Sequence, residues 1–219
     1  NGLTLGVVGS GTTINHIEVL GNVDDGIEFF GGTVNASNLL VWGQGDDAID
    51  IDQAYAGTID GALVVLTAAS DHGFEIDGPE GSATGRFTLK NATVFGATDD
   101  CDAEGVDGEM ADFRKGATGD VSNILFRDFA GGKDVELDAS ADAATYTAGT
   151  LTFANIDIMH PLSGGAVCSN VETFNQIFDD KSDESTFEAD ALTFAEIVKE
   201  QKQGNGVDTS VFAWTFYAR

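Results

Sequence analysis

Short apolar runs with hydrophobic residues at every second position recur along the whole chain, separated by Gly, Asp and Asn. Each run is strand-sized, and the period of two belongs to β-structure. Two families of run are present. In one, "GIEFF", "AIDID", "GFEID", "GVDGE" and "DVELD" align so that Ile27, Ile49, Phe74, Val106 and Val135 share a column. In the other, "HIEVLG", "NLLVWG", "ALVVLT", "NATVFG", "NILFRD" and "NIDIMH" align from His16, Asn38, Ala62, Asn91, Asn123 and Asn155. The two columns keep step although the interval between units varies, so each pair of runs is one unit of a repeat. This predicts a solenoid of strands. A sandwich would also give many short strands, but it has no reason to hold equivalent residues in register over successive units. Helical repeats are excluded by the short runs and their Val, Ile, Phe and Thr content.

Asn38, Asn91, Asn123 and Asn155 occupy one place in the repeat, and His16 stands in the same column. Equivalent side chains in such a coil stack at roughly 4.8 Å, so an Asn amide can bond its neighbours above and below. An asparagine ladder at a tight turn is therefore expected. The fold class that follows is all-β, a solenoid of stacked coils over residues 1–168. Residues 169–219 read as a small C-terminal cap of two short helices and a final strand, within the same structural domain. In the first helix Ser169 and Glu172 have capping-box spacing, followed by Val171, Phe174, Ile177 and Phe178. Thr193 and Glu196 repeat the box before Ile197 and Val198, with a stop at Gly204. "SVFAWTFYAR" alternates like a strand.

The aligned coils and the Asn column resemble the pectin-lyase-like superfamily of right-handed parallel β-helices. "NGLTLGVVGSGTTI" and "DDGIEFFGGTVN" are similar to segments of secreted or surface-anchored bacterial β-helix proteins, and the resemblance covers roughly residues 1 to 160. It implies an extracellular or cell-surface setting and lends no catalytic residue.

Composition adds a strong charge. There are 37 acidic and 10 basic residues, a formal net charge of −27. Such a field repels phosphate backbones and anionic membrane surfaces, so nucleic acid is not an expected partner. No apolar run approaches the roughly 18 residues that cross a bilayer, which argues against membrane insertion. Fifteen Phe residues separate the chain from disordered acidic sequences. Cys101 and Cys168 are either bridged or free thiols; the sequence leaves both open.

Alternation sends Ile27, Phe29, Ile49, Ile51, Phe74, Ile76, Val135 and Leu137 inward, and puts Glu28, Asp50, Glu75, Asp107 and Glu136 in an outward row. Asp52, Asp77 and Asp138 form a second row, and Asp24, Asp46 and Asp71 a third at the turn before the strand. Like charges at that spacing repel by about 1 kcal/mol per pair even in water. Calcium, a hard ion bound by oxygens, would offset this. The candidate metal ligands are Asp24, Asp46 and Asp71, together with Asp100, Asp102 and Glu104, which match the first half of a calcium loop. Ala111 stands where the closing Glu of an EF-hand belongs. The expected function is an extracellular or cell-surface structural or binding module, calcium-stabilised, with a polysaccharide or surface partner. "NGLTLGVVGSG" reads as the middle of a coil without a covering helix, so end-to-end self-association is also expected. The alternative is a polysaccharide-active enzyme using Asp50, Asp52, Glu75 and Asp77. Against it, the aligned strands offer Lys133 as their one basic residue.

Overall fold

The computed structural model describes residues 1–98, 108–163, 166–167 and 174–216. Two seven-stranded parallel sheets enclose one core. Sheet A holds the short strands β1 (Leu3–Gly6), β3 (Ile27–Phe30), β5 (Ile49–Asp52), β7 (His72–Asp77), β9 (Glu109–Arg114), β11 (Val135–Leu137) and β15 (Phe178–Asp180). Sheet B holds β2 (Thr13–Leu20), β4 (Asn35–Trp42), β6 (Thr58–Val65), β8 (Phe87–Phe95), β10 (Gly119–Arg127), β12 (Leu151–Met159) and β16 (Ala195–Val198). The chain changes sheet after almost every strand, so neighbours within a sheet are parallel and belong to successive turns. This is a parallel β-helix. Helix α1 (Ser140–Thr147), the antiparallel pair β13 (Leu162–Ser163) and β14 (Ala166–Val167), and helices α2 (Phe174–Ile177) and α3 (Phe187–Phe194) are inserted between rungs.

Each long strand of sheet B from β2 to β12 contains one residue with positive φ: His16 (58°), Asn38 (54°), Gly61 (89°), Asn91 (58°), Asn123 (56°) and Asn155 (54°). Pairing skips that position, passing from Asn15–Ser37 to Ile17–Leu39. The strand bends there, and inward side chains lie three residues apart across the bend: Ala36 and Leu39, Ile59 and Ala62, Leu89 and Ala92, Val121 and Ile124, all buried. Asn suits the site because its short polar side chain tolerates the left-handed region. The amides are chained. Asn155 Nδ2 donates to Asn123 Oδ1 at 3.1 Å, and Asn123 Nδ2 to Asn91 Oδ1 at 3.1 Å. Asn91 Nδ2 donates to Asp60 Oδ1 at 2.6 Å, and Asn38 Nδ2 to Asn15 Oδ1 at 2.9 Å. The expected ladder is present, with one shift of register: the third unit aligns from Gly61 and not Ala62, and Asp60 supplies the missing acceptor.

A larger correction falls in sheet A. Ala111 pairs with Phe74 on one side and Val135 on the other, so it, and not Val106, occupies the inward column. Residues 99–107 lie outside the described residues, and with them Asp100, Cys101, Asp102, Glu104, Val106 and Asp107. Gly108, with a φ of 93°, stands immediately before β9. The strand that follows, "EMADFR", puts Ala111 and Phe113 into the core and Asp112 and Arg114 outside.

The solenoid also continues past residue 168. β15 pairs with β11, and β16 pairs with β12, so both sheets gain a rung within the segment expected as cap. Ala195–Val198, expected as helix from the Thr193/Glu196 box, is strand because the open edge of β12 offers it backbone partners. The helix lies just upstream, as α3, and Cys168, Ser169 and Glu172 are outside the described residues. Phe178, Phe187 and Phe194 pack together under the last rungs, with Phe187 and Phe194 stacked at 5.7 Å.

The final segment, expected as a strand, is a strap with a short 3-10 turn at Thr209–Phe212, capped by Asp208 through Ser210 N at 3.0 Å. It runs back along the outside of sheet B. Gly206 N donates to Asn123 O and Val207 N to Thr93 Oγ1, while Phe212 packs near Leu40. Trp214 meets His16, and Phe216 N donates to the Glu18 carboxylate at 3.0 Å.

Asn123 sits in the middle of the amide chain. Asn123→Ala is expected to destabilise by roughly 1–3 kcal/mol, from lost amide partners and a strained positive φ. Asn123→Gly, which accepts that φ, should lose less; urea unfolding of the two variants measures the difference.

Candidate functional site: the acidic face of sheet A

The register of sheet A places one outward carboxylate on each rung from β3 to β15, with Thr4 of β1 at the head of the row. Glu28 lies beside Asp50, Asp50 beside Glu75, Glu75 beside Asp112, Asp112 beside Glu136, and Glu136 beside Asp179. Asp112 thus takes the place expected for Asp107. Glu28 and Asp50 were expected to face water, yet they are 5% and 6% exposed, and Asp112 is 7% exposed. Neighbouring rungs at roughly 4.8 Å leave little room for water between stacked carboxyls.

Burial sets their proton affinity. It pushes Asp50 up to about 9, with Asp52 and Asp25 adding to the effect, and Glu28 up to about 7, with Asp25 next in weight. Glu75 rises to about 8 and Asp112 to about 7, again through burial first and neighbouring carboxylates second. Asp52 is raised by burial and by Asp77. Asp77 goes the other way: burial opposes ionisation, but hydrogen bonds from Arg114 and Lys115 hold it below the usual range.

Those two bases were missed in the sequence because the fourth unit was aligned on "GVDGE". Arg114 pairs with Glu75 at 2.5 Å and with Asp77 at 2.8 Å, and approaches Asp112 at 3.8 Å. Lys115 reaches Asp77 at 2.5 Å. Farther along, Lys181 neutralises Glu136 at 2.7 Å, and Lys133 lies 3.8 Å from Glu109. Lys133 is therefore not the only base on these strands.

The turn line resolves differently for its three expected ligands. Asp24 and Asp46 come together with Asp25, offering oxygens within 4.8 Å of one another. Asp71 joins Asp47 and His72. His72 Nδ1 lies 2.8 Å from Asp47 Oδ1 and 3.7 Å from Asp71, and its Nε2 lies 3.7 Å from Glu109. Burial works against protonation of His72, but the hydrogen bond and charge of Asp47 prevail and raise it to about 9. Its imidazolium places a positive charge beside those carboxylates. Asp25, Glu28 and Asp50 form a further group. Asp25 and Asp47, the second residue of each Asp-Asp doublet, were overlooked although the doublets are visible in the chain. On the opposite side of the coil, a polar groove of about 730 Å³ follows the asparagine line, bordered by Asn38, Asp60, Asn91, Lys202 and Asn205.

Chemically, this face combines protonated carboxyls, an ionised Asp77 and a guanidinium in one column. Two outcomes follow. The unfolded carboxyls titrate near 3.8 and 4.5, whereas the folded ones hold their protons to about 7 and 9, so the folded protein binds extra protons between those limits. Stability of the metal-free protein should therefore fall as pH rises from about 5 to about 9, with His72 adding to the loss above about 6.5. Thermal unfolding in chelator across that range checks it, and a flat profile would contradict it. Arg114→Met removes the base shared by Glu75, Asp77 and Asp112 and should cost about 2 kcal/mol or more, measured by urea unfolding.

No curated protein and no solved structure shows significant similarity to the chain. A family model described as a pectate-lyase-like β-helix domain matches residues 1–217, in agreement with the paired parallel sheets and the repeated coils. The chain belongs to the pectate-lyase-like β-helix domain family.

Proposed function

We propose that this protein is a structural or binding module of an extracellular or bacterial cell-surface setting, and that its acidic sheet A face takes up calcium. The observation that carries this reading is the uneven charge balance of that face. From β7 onward the stacked carboxylates have bases of their own, in Arg114, Lys115 and Lys181. At β3 and β5, no Lys, Arg or His of the described residues forms an ion pair with Glu28, Asp50 or Asp52, although all three are packed together on adjacent rungs. A hard divalent ion suits carboxylate and turn oxygens and supplies the missing positive charge. Asp24 and Asp46 at the turn line extend the same acidic neighbourhood.

The family membership supports a polysaccharide-related or structural role, and a polysaccharide or another surface component is the partner this reading expects. No described helix is long and apolar enough to cross a membrane. Self-association end to end remains the assembly reading, because parallel strands extend by adding further strands at an edge. The decisive experiment is thermal unfolding in chelator and then in excess calcium. A calcium-specific rise in midpoint is expected, since a ligand bound only to the folded state stabilises it. An unchanged midpoint would contradict the reading; light scattering that finds only monomer would remove the assembly part alone.

One observation favours a second reading, that of a polysaccharide-active enzyme. Asp77, held ionised by Arg114 and Lys115, stands among Asp50, Asp52 and Glu75, whose carboxyls are held protonated above the ordinary range. A proton donor beside an ionised acceptor is the pairing that acid-base catalysis of glycosidic cleavage uses. If the protein shortens a neutral or acidic polysaccharide, Asp50→Asn and Asp77→Asn should abolish that activity. Digestion surviving both substitutions would exclude these residues.

A further inference from the structure

Sheet B carries an imbalance of charge of its own, on the side where the strap crosses it. Asp157 of β12 and Glu196 of β16 are register partners on adjacent rungs, and Lys202 serves both. Its Nζ lies 3.3 Å from Asp157 Oδ1 and 2.6 Å from Glu196 Oε2. Asp157 is 2% exposed, and its Oδ2 is buried with no hydrogen-bond partner. Such atoms are rare in native structures, because each carries a desolvation cost with nothing to offset it. The shared base is half in water: the Lys202 side chain is 46% exposed, within the exposed run from Lys199 to Gly204 that begins the strap.

These groups stand in a groove. A recess of about 360 Å³, lined by Asn123, Asn155, Asp157, Leu192, Glu196 and Lys202, adjoins the polar groove along the asparagine line. The two share the strap residues from Lys202 to Asn205. Together they pass Asn38, Asp60, Asn91, Asn123 and Asn155, one from each of five successive rungs of sheet B. At the rung spacing that is a path of roughly 19 Å. Each Asn amide of the line uses one donor on its neighbour, and an amide has two. The second donors recur at every amide along this path, a repeat that suits the hydroxyls of an extended chain. The net charge of −27 works against a polyanion here and favours a cationic chain.

We propose that this groove binds an extended glycan bearing free amino groups, with Asp157 and Glu196 receiving one of its ammonium groups and the asparagine line taking its hydroxyls. Lys202 is the chain's own occupant of that seat, and the ligand's ammonium displaces it, forming charge-assisted hydrogen bonds to the same carboxylates. A basic peptide would supply the ammonium but no row of hydroxyls for the amide line. The inference rests on the reading of the protein as a surface module with a polysaccharide partner. It names the class of polysaccharide and puts it on sheet B, away from the acidic face.

The test is calorimetric titration in chelator at physiological salt, which screens the general negative field. The probes are a glucosamine oligomer, an N-acetylglucosamine oligomer and oligolysine. The glucosamine oligomer should bind, and the other two should bind more weakly by roughly tenfold or more. Asp157→Asn should weaken glucosamine binding by a similar factor, whereas Lys202→Met, which removes the internal competitor, should tighten it. Glu184→Gln, which removes an exposed charge outside the groove, should leave it unchanged. Should Asp157→Asn fail to fold, Glu196→Gln at the exposed end of the pair carries the same comparison. Equal binding by the N-acetylated oligomer would overturn the role of the ammonium, and equal binding by oligolysine would replace the glycan with a basic peptide. An affinity not raised in Lys202→Met would overturn the displacement. Glucosamine binding undiminished in Asp157→Asn would overturn this site while the polysaccharide reading stands. No binding of either sugar oligomer would also overturn the site, and the calcium response of the acidic face would then decide the module reading alone.

Discussion

Everything in this molecule depends on the spacing of successive rungs. In a parallel β-helix, a residue at one place in a coil lies roughly 4.8 Å from its equivalents in the coils before and after, so each choice of side chain is repeated as a column. Columns that suit stacking reinforce themselves. Inward Ile and Phe fill a continuous core, and Asn91, Asn123 and Asn155 satisfy one another through their amides while accepting a left-handed backbone. Columns of like charge do not suit it, and the acidic face of sheet A is the place where the repeat works against itself.

That conflict organises the chemistry of the face. Enclosed by neighbours above and below, the carboxyls lose water and hold protons far above their ordinary range, unless a base intervenes. Arg114 intervenes for three of them and Lys181 for two. His72 does the same at the turn, where Asp47, Asp71 and Glu109 surround it. The group at Asp25, Glu28 and Asp50 has no Lys, Arg or His ion-pair partner among the described residues. The strap from β16 to Phe216 acts on the opposite sheet, crossing the rungs from Thr93 to Glu18 and binding late coils to early ones.

Much of this was legible in the sequence because columns leave a trace in it. The alternation of "GIEFF" and "AIDID", and the aligned Asn residues, specify the coil and its inward and outward rows without reference to a template. The fourth unit of sheet A was not legible. "GVDGE" imitates the pattern of the column, and the information that assigns the column to Ala111 is its pairing with Phe74 and Val135, a tertiary feature. That slip hid Arg114 and Lys115, and with them the ion pairs of Glu75, Asp77 and Asp112. Ala195–Val198 carries helix-capping signals and is nevertheless a strand, because the edge of β12 outweighs a local preference. Asp25 and Asp47 were in plain view as doublets, but their burial depends on the rungs around them.

The account's central claim is that a divalent ion completes the carboxylate group between β3 and β5. A crystal grown with calcium and exchanged into terbium tests it most directly, through the anomalous scattering of the bound ion. The account predicts a peak bridging Glu28 and Asp50, with Asp25 turned toward it. An empty site, with Glu28 and Asp50 sharing a proton across their facing oxygens while terbium sits elsewhere or nowhere, would contradict it.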